Sequence, residues 1–417
     1  MKRLARALSI LVLLGALGTG MQASAASPQP EEAALEADHA FRLFIEGLWP
    51  EARAHGISRR TFDKALAEIR VDWPVLDRAN AQPEHEFSIG DYLAHLASDA
   101  RVLDGRAQLA RHAATFRAVE AAYGVDRHVL AAIWGIESNF GAGMGEHGVL
   151  AALGTLAWKG ERRAGFGRQQ LMAALRIIER GDIDPAQMLG SWAGAMGHTQ
   201  FIPTTYSLYA VDFDKDGRRD IWGTISDALA STANYLKVSG WRAALPWGFE
   251  VALPDGFDYG LMDRELAFSD WSRRGVTPAR PSADAKLPID GSTVARLLVP
   301  AGAQGPAFLV TSNFRAILKY NNATSYALAV GHLADRLAGG GTFVMAWPSD
   351  ERPLRRRERE ELQSLLSAQG FYRGEIDGLF GDQTKAALLA WQRHMGVIPD
   401  AYASERVLSH LKKAGTP

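Results

Sequence analysis

The alternation of apolar and polar positions reads as helix over most of the chain. Phe41, Phe44, Ile45 and Leu48, then Phe62, Leu66 and Ile69, then Tyr92, Leu93 and Leu96 recur at helical spacing between His39 and Tyr123. Asp126 stands as an N-cap for a further helix through Ala131 to Glu137, closed by Gly141 and Gly143. On that helix Ile133, Ile136 and Phe140 form an apolar face, and the remaining position of the same face is Glu137. An unpaired carboxylate in such a stripe is costly to desolvate, so its pKa rises. Two readings fit: a catalytic acid, or a structural Glu satisfied by Ser138, Asn139 or an arginine.

Further helical patterns cover Arg168 to Arg180, Ile225 to Val238 and Asn313 to Leu337. Between about 241 and 308 the texture changes to Pro, Gly and short β-favouring runs, 249–253 and 295–299, which predicts a small sheet-containing insertion in a helical core. Gly339 to Gly341, Pro348 and a charged run from Asp350 mark a boundary. The run Arg352 to Arg359 reads as a solvated linker helix. Residues 355–413 form a compact unit, with a helix around Leu362, Leu365 and Leu366, a glycine-rich turn from Gly370 to Gly381, and a helix with Ala387, Ala390 and Trp391 on its apolar side. Asp377 and Thr384 are positioned to cap the turn.

With 417 residues the chain exceeds one ordinary core, and 47% hydrophobic and 22% charged residues are usual for a globular protein. A net charge of -1 supplies no general attraction to nucleic acid, and the basic residues near 352–359 alternate with acids without interleaved aromatics. The N-terminus changes the picture more. Lys2, Arg3 and Arg6 precede an apolar Leu8 to Leu17 and small residues at Ala23 to Ala25, the pattern of a cleaved signal peptide over residues 1–25. Residues 26–38 then read as a loose start to the mature chain. No apolar run is long enough to span a membrane, and the absence of cysteine removes disulfides, thiol catalysis and a lipid-modified Cys. The expectation is an exported, periplasmic protein without a transmembrane segment. His39, His55, His112, His147 and His198 are scattered without nucleophile-elbow spacing and read as surface or groove residues.

Two motifs, Ile136-Glu137-Ser138-Asn139-Phe140-Gly141 and Ser191-Trp192-Ala193-Gly194-Ala195-Met196-Gly197-His198-Thr199-Gln200-Phe201-Ile202-Pro203, together resemble the lytic murein transglycosylase B family over about His39 to Trp347. The tail, from Gly374-Glu375-Ile376-Asp377-Gly378 through Thr384 to Gln392, resembles a three-helix peptidoglycan-binding module. The resemblance implies a mainly α architecture: a lysozyme-like helical core, a helical N-terminal domain, a small β-containing insertion and the C-terminal module. It also implies non-hydrolytic cleavage of the β-1,4 bond between N-acetylmuramic acid and N-acetylglucosamine, giving 1,6-anhydromuramoyl ends, with Glu137 as acid and then base. Peptidoglycan glycan strands are the implied partner, with other cell-wall enzymes as further candidates.

Carried over by position, Ser191 and Gln200 match polar groups beside the acid, Ser191 reaching Glu137 or the substrate's N-acetyl group. Tyr92, Tyr235, Tyr320, Asn321 and Tyr326 match residues lining the sugar groove. Trp192, His198 and Thr199 stand where some relatives carry Tyr, Tyr and Gly. Ordinary glycosidases use two carboxylates; Glu146, Glu161 and Asp182 lie in no comparable apolar motif, which favours a one-carboxylate scheme. No cofactor is required for that chemistry. Asp212, Asp214, Asp216 and Gly217 open like a calcium loop, with Gly223 where a bidentate Glu belongs. The candidate metal set is Asp212, Asp214, Asp216 and Arg218, with Asp227 as the closing acid that the resemblance implies, for a structural Ca2+; the competing reading is an acidic turn capped by Arg218 and Arg219. The alternative functions are a hydrolysing muramidase and a catalytically silent wall-binding scaffold.

Overall fold

The computed structural model describes residues 30–80, 88–262, 264–280, 289–348 and 354–414. The predicted signal peptide lies outside them. Residues 26–38 do not form a loose segment throughout, because a helix runs over Pro30–Glu46. Its start is rich in Ala, Glu and Leu, all strong helix formers, and that propensity outweighs the terminal position.

The helical part holds two apolar clusters. One is built on Phe41, Phe62, Leu153, Leu171 and Tyr206. The other surrounds the helix Arg127–Ser138, with Phe116, Leu229, Phe314, Tyr326 and Leu333. That helix is buried nearly all round from Val129 to Gly135, so it is a central element and not a surface one. It packs against Thr324–Leu337 and Asp99–Arg111. The helix Ile225–Val238 has the bounds its periodicity predicts. The pattern over 313–337 divides into Ser312–Tyr320 and Thr324–Leu337.

Two short strands, β1 (His147–Gly148) and β2 (Leu189–Gly190), pair antiparallel. The insertion is a five-stranded antiparallel sheet of order β4-β6-β7-β3-β5, formed by β3 (Gly248–Ala252), β4 (Glu265–Ala267), β5 (Thr277–Pro278), β6 (Val294–Leu298) and β7 (Ala307–Val310). Strand β7 is buried on both faces: Phe308 and Val310 join the helical core, and Ala307 and Leu309 join the insertion's own core around Trp271. It leads through Thr311, whose hydroxyl accepts Asn313 N–H, into the helix Ser312–Tyr320. The sheet therefore fixes where Tyr320 ends up.

The C-terminal unit has helices Arg356–Ala368, Asp382–His394 and Glu405–Ala414 around Leu362, Leu366, Leu388 and Trp391. Of the run predicted as a solvated linker helix, residues 352–353 lie outside the described residues, and 354–359 are not a linker. Leu354 is buried and Arg359 donates to the carbonyls of Gly378 (2.6 Å) and Leu354 (2.5 Å), so it opens the first helix of this unit. Ala390 is exposed; the buried face is Thr384, Ala387, Leu388, Trp391 and Gln392. Asp377 caps the turn at Leu379 N–H, and the buried amide of Gln363 ties Asp377, Gly378, Leu379 and Thr384 together.

Candidate active site

The central helix starts at Asp126, whose carboxylate accepts His128 N–H at 2.6 Å, and ends at Ser138. Asn139 (φ 49°) and Phe140 (φ 58°) are both left-handed, which stops the helix one residue after Glu137. Glu137 thus sits in the last turn, half-buried as a residue. Its Oε1 accepts the Tyr326 hydroxyl at 2.6 Å, 189 residues away. Burial pushes its pKa up to about 7, against the opposing pull of that hydroxyl. Ser138 and Asn139 do not satisfy it: the Ser138 hydroxyl donates to His198 O at 2.6 Å.

Aromatic rings extend from the acid as a row. Tyr326 lies parallel to Tyr320 (6.5 Å, 4°), which meets Tyr235 edge-on at 5.1 Å; Tyr235 meets Tyr209 at 4.7 Å. The Tyr320 hydroxyl donates to Thr199 O at 2.5 Å and that of Tyr235 to Lys319 O. Burial, followed by the charge of Glu137, raises the Tyr326 and Tyr320 phenols well above their ordinary range, so both remain protonated donors. Tyr92 is shifted upward by the same two causes.

The second motif is a compact loop behind the acid. Gly190 bridges Met196, Met196 bridges Phe201, and Ser191 N–H bonds Ala195 O. The Ser191 hydroxyl accepts Ala195 N–H at 3.0 Å instead of bonding Glu137. Gln200 donates to the carbonyls of Met144 and Gly197, both at 2.9 Å, and so ties this loop to the one that follows the central helix. Asn321 lies exposed at the end of Ser312–Tyr320. The structure therefore brings Glu137, Tyr326, Tyr320, Tyr235 and Tyr92 into one neighbourhood, with Ser191 and Gln200 bonded to backbone groups of the adjoining loops.

His198 is neither a surface nor a groove residue. It is buried; its Nδ1 accepts Trp134 Nε1–H at 3.1 Å, and its ring stands edge-on to Trp134 at 5.5 Å. Burial holds it neutral by lowering its pKa. With the Ser138 bond, it clamps the turn carrying Glu137 on both sides.

Residues 40–335 match the family model described as the transglycosylase SLT domain, well over half of the chain. The chain belongs to this family. Residues 355–411 match the model of a peptidoglycan binding domain. Over 229 residues the chain is 35% identical to the membrane-bound lytic murein transglycosylase B of Escherichia coli K12, an alignment covering 52% of this chain and 58% of that protein. Crystal structures agree further along the chain. SltB3 from Pseudomonas aeruginosa, solved in complex with NAG-anhNAM-pentapeptide, is 48% identical with a TM-score of 0.84, covering 89% of this chain and 99% of that one. Escherichia coli Slt35, solved in complex with calcium, is 28% identical with a TM-score of 0.59, covering 72% and 92%. The helical core is thus the lysozyme-like fold of the SLT transglycosylases, carrying a sheet insertion and a C-terminal binding module.

In this SLT domain the acidic loop after Val211 has the donors for a hard cation. Carboxylate oxygens of Asp212, Asp214 and Asp227 all lie within 4.8 Å of one another. Asp212 Oδ1 is buried without a hydrogen-bond partner, while Asp227, fully buried, accepts Phe213 N–H and Asp220 N–H. An orphaned buried carboxylate oxygen facing two further acids fits Ca2+. Asp216 is outside this trio; its Oδ1 accepts Arg218 N–H at 2.8 Å. Arg219 does not cap the loop but pairs with buried Asp182 at 2.6 Å. One acid escaped the sequence reading: Asp335, whose Oδ2 accepts Trp247 Nε1–H at 3.1 Å and whose pKa desolvation of the carboxyl lifts to about 7.

Proposed function

We propose that the protein is an exported lytic transglycosylase that cleaves the MurNAc-GlcNAc β-1,4 bond of peptidoglycan without water. The observation that carries the reading is Glu137: a single half-buried acid with a pKa of about 7, held by one hydroxyl at the head of a row of tyrosines. Protonated Glu137 gives its proton to the glycosidic oxygen as the C1–O bond breaks and its electron pair passes to that oxygen. The substrate's N-acetyl oxygen closes onto C1, taking the role a second carboxylate plays in ordinary glycosidases. Ionised Glu137 then takes the proton of the muramoyl C6 hydroxyl, whose oxygen attacks C1, reopens the N-acetyl ring and leaves a 1,6-anhydro end.

Tyr326 orients the carboxyl, and the rings of Tyr320 and Tyr235 supply flat faces for sugars. The related complex of SltB3 with NAG-anhNAM-pentapeptide supports an anhydro product, and the peptidoglycan binding domain supports the wall as partner. Residues 1–25 would direct export to the periplasm; no described helix is long and apolar enough to cross a membrane. The division into a catalytic region over 39–347 and a module over 355–413 follows the same reading. Asp212, Asp214 and Asp227 would hold a structural Ca2+, which the Slt35 complex with calcium supports. That ion would tie the loop after Val211 to the helix Ile225–Val238 and take no part in the chemistry.

Purified sacculi digested with the wild type and with Glu137→Gln, with product ends identified by mass, test the proposal. Anhydromuramoyl ends from the wild type and a loss of at least about a thousandfold in the variant are expected. Reducing muramoyl ends alone would make the protein a hydrolase, and full activity of the variant would remove Glu137 from the chemistry.

A further inference from the structure

A cavity of about 780 Å³ opens between the stretch from Lys64 to Pro74, the start of the helix that follows β1, and the helical turn Pro185–Gln187, within the size range of small-ligand sites. Its lining shares no residue with the tyrosine row beside Glu137. The two are nevertheless joined. Gly148 of β1 borders the cavity, β1 pairs with β2, and β2 runs directly into the loop of Ser191. Gln200 of that loop holds the carbonyl of Met144, between Glu137 and β1.

Trp73 borders this concave surface and is 45% exposed. The chain around it is pinned. Asp72 N–H donates to the buried Thr155 hydroxyl at 2.9 Å, the Asp72 carboxylate meets His147 Nδ1 at 2.7 Å, and Pro74 fixes the φ that follows. The indole is therefore a preset flat face, attached to a backbone that has little freedom left to lose when a ligand covers it. Beside it Leu150 and Ala151 form an apolar wall, while the exposed Glu68 and Gln187 bring acceptor and donor atoms to the edge. Lys64 and Asp184 on the same lining pair with each other at 2.8 Å, as Asp72 does with His147. An aromatic face for the C–H side of a sugar ring, an apolar wall for an acetamido methyl and polar edges for hydroxyls together suit an N-acetylated saccharide.

We propose that this cavity is a saccharide exosite, in which Trp73 stacks an N-acetylated sugar of a peptide-free stretch of glycan away from the bond that Glu137 cleaves. Such a site holds an insoluble strand between cuts without entering the chemistry. The inference rests on the reading of the Glu137 groove as a glycan-cleaving site, and two measurements keep the two apart.

In the first, N-acetylchitotetraose is titrated into the 15N-labelled full-length Glu137→Gln protein, which removes turnover, and the indole N–H signals are followed by NMR. The Trp73 signal is identified by its loss in Trp73→Phe. A saturable shift of that signal supports the exosite; no shift, or an equal shift with maltotetraose, which lacks acetamido groups, overturns it. In the second, Trp73→Ala and Trp73→Phe are compared with the wild type on intact sacculi and on soluble tetrasaccharide fragments. Trp73→Ala is expected to slow sacculus digestion about fivefold, the worth of one aromatic stack, with kcat/KM on the fragments unchanged and Trp73→Phe retaining most of the rate. An equal fall on both substrates would show that Trp73 only supports the fold, and an unchanged rate on sacculi would show that the cavity holds no strand; either overturns the proposal. A Trp73 shift in a protein whose wild type cleaves neither substrate would instead retire the proposed function and leave the saccharide site standing.

Discussion

Glu137 carries two consequences that follow from its raised pKa. Folded Glu137 holds its proton up to about pH 7, whereas an unfolded Glu releases it near 4.5. The folded state therefore binds more protons in that window, and stability is lost as pH rises through it. Glu137→Gln removes the loss: urea unfolding at pH 8 should show the variant more stable by about 2 to 3 kcal/mol, with no difference at pH 4. Tyr326→Phe removes the hydroxyl that holds the carboxyl pKa down. The alkaline limb of the pH–rate profile should then move upward, while kcat falls about tenfold as the carboxyl loses its orientation; an unmoved limb would show that Tyr326 only packs. The acid was visible in the sequence because a Glu on an apolar face breaks the period. Tyr326 and Tyr320 entered through the resemblance as groove residues, but nothing local could show that one phenol bonds the acid and the other Thr199.

His198 shows the reverse case. A lone histidine in a glycine-rich motif carries no periodic signal, and only packing places it beneath Trp134 and Ser138. Replacing it with Ala leaves Trp134 Nε1–H buried without an acceptor, which should cost about 1 to 3 kcal/mol in denaturant unfolding.

The turn after the central helix and the second motif lock together through glycine. Gly145, at φ 96°, lies so close to Gly190 that an added Cβ would stand 2.1 Å from the Gly190 carbonyl oxygen. Gly145→Ala should separate β1 from β2 and shift Ser191 and Gln200. The expected outcome is a loss of about 1 to 3 kcal/mol in thermal unfolding together with reduced kcat; wild-type values for both would mean the contact relaxes freely. Most helices were legible at this level because their signals are local: Asp126 caps the central helix as its sequence predicts, and Ile225–Val238 ends where its period does. The stretch before Glu361 was not. Its charges read as solvated, yet Leu354 and the Arg359 contacts make it the first wall of the C-terminal core. Charge density reports exposure on average, and an arginine that donates to buried carbonyls defeats it.

Across the molecule, the acidic loop links the chain before the helix Ile225–Val238 to the helix itself through Asp227. If Asp212, Asp214 and Asp227 hold calcium, a chelator should lower the melting temperature by several degrees and added Ca2+ restore it. Asp227→Ala should abolish that response. An unchanged melting temperature with chelator and with calcium would remove the metal assignment. The sheet insertion acts over a similar reach, since the two-faced burial of β7 joins it to the helical core and delivers Tyr320 to the cleft.

Periodicity, caps and composition alone established a mainly helical chain, an interrupted core, a separate C-terminal unit and an acid out of place, since each depends on neighbours within a few residues. Tertiary packing decided the rest. It paired Glu137 with Tyr326 and put His198 under the helix end. Those contacts join residues 60 or more positions apart, where a local pattern records that a residue is buried but not what it is buried against.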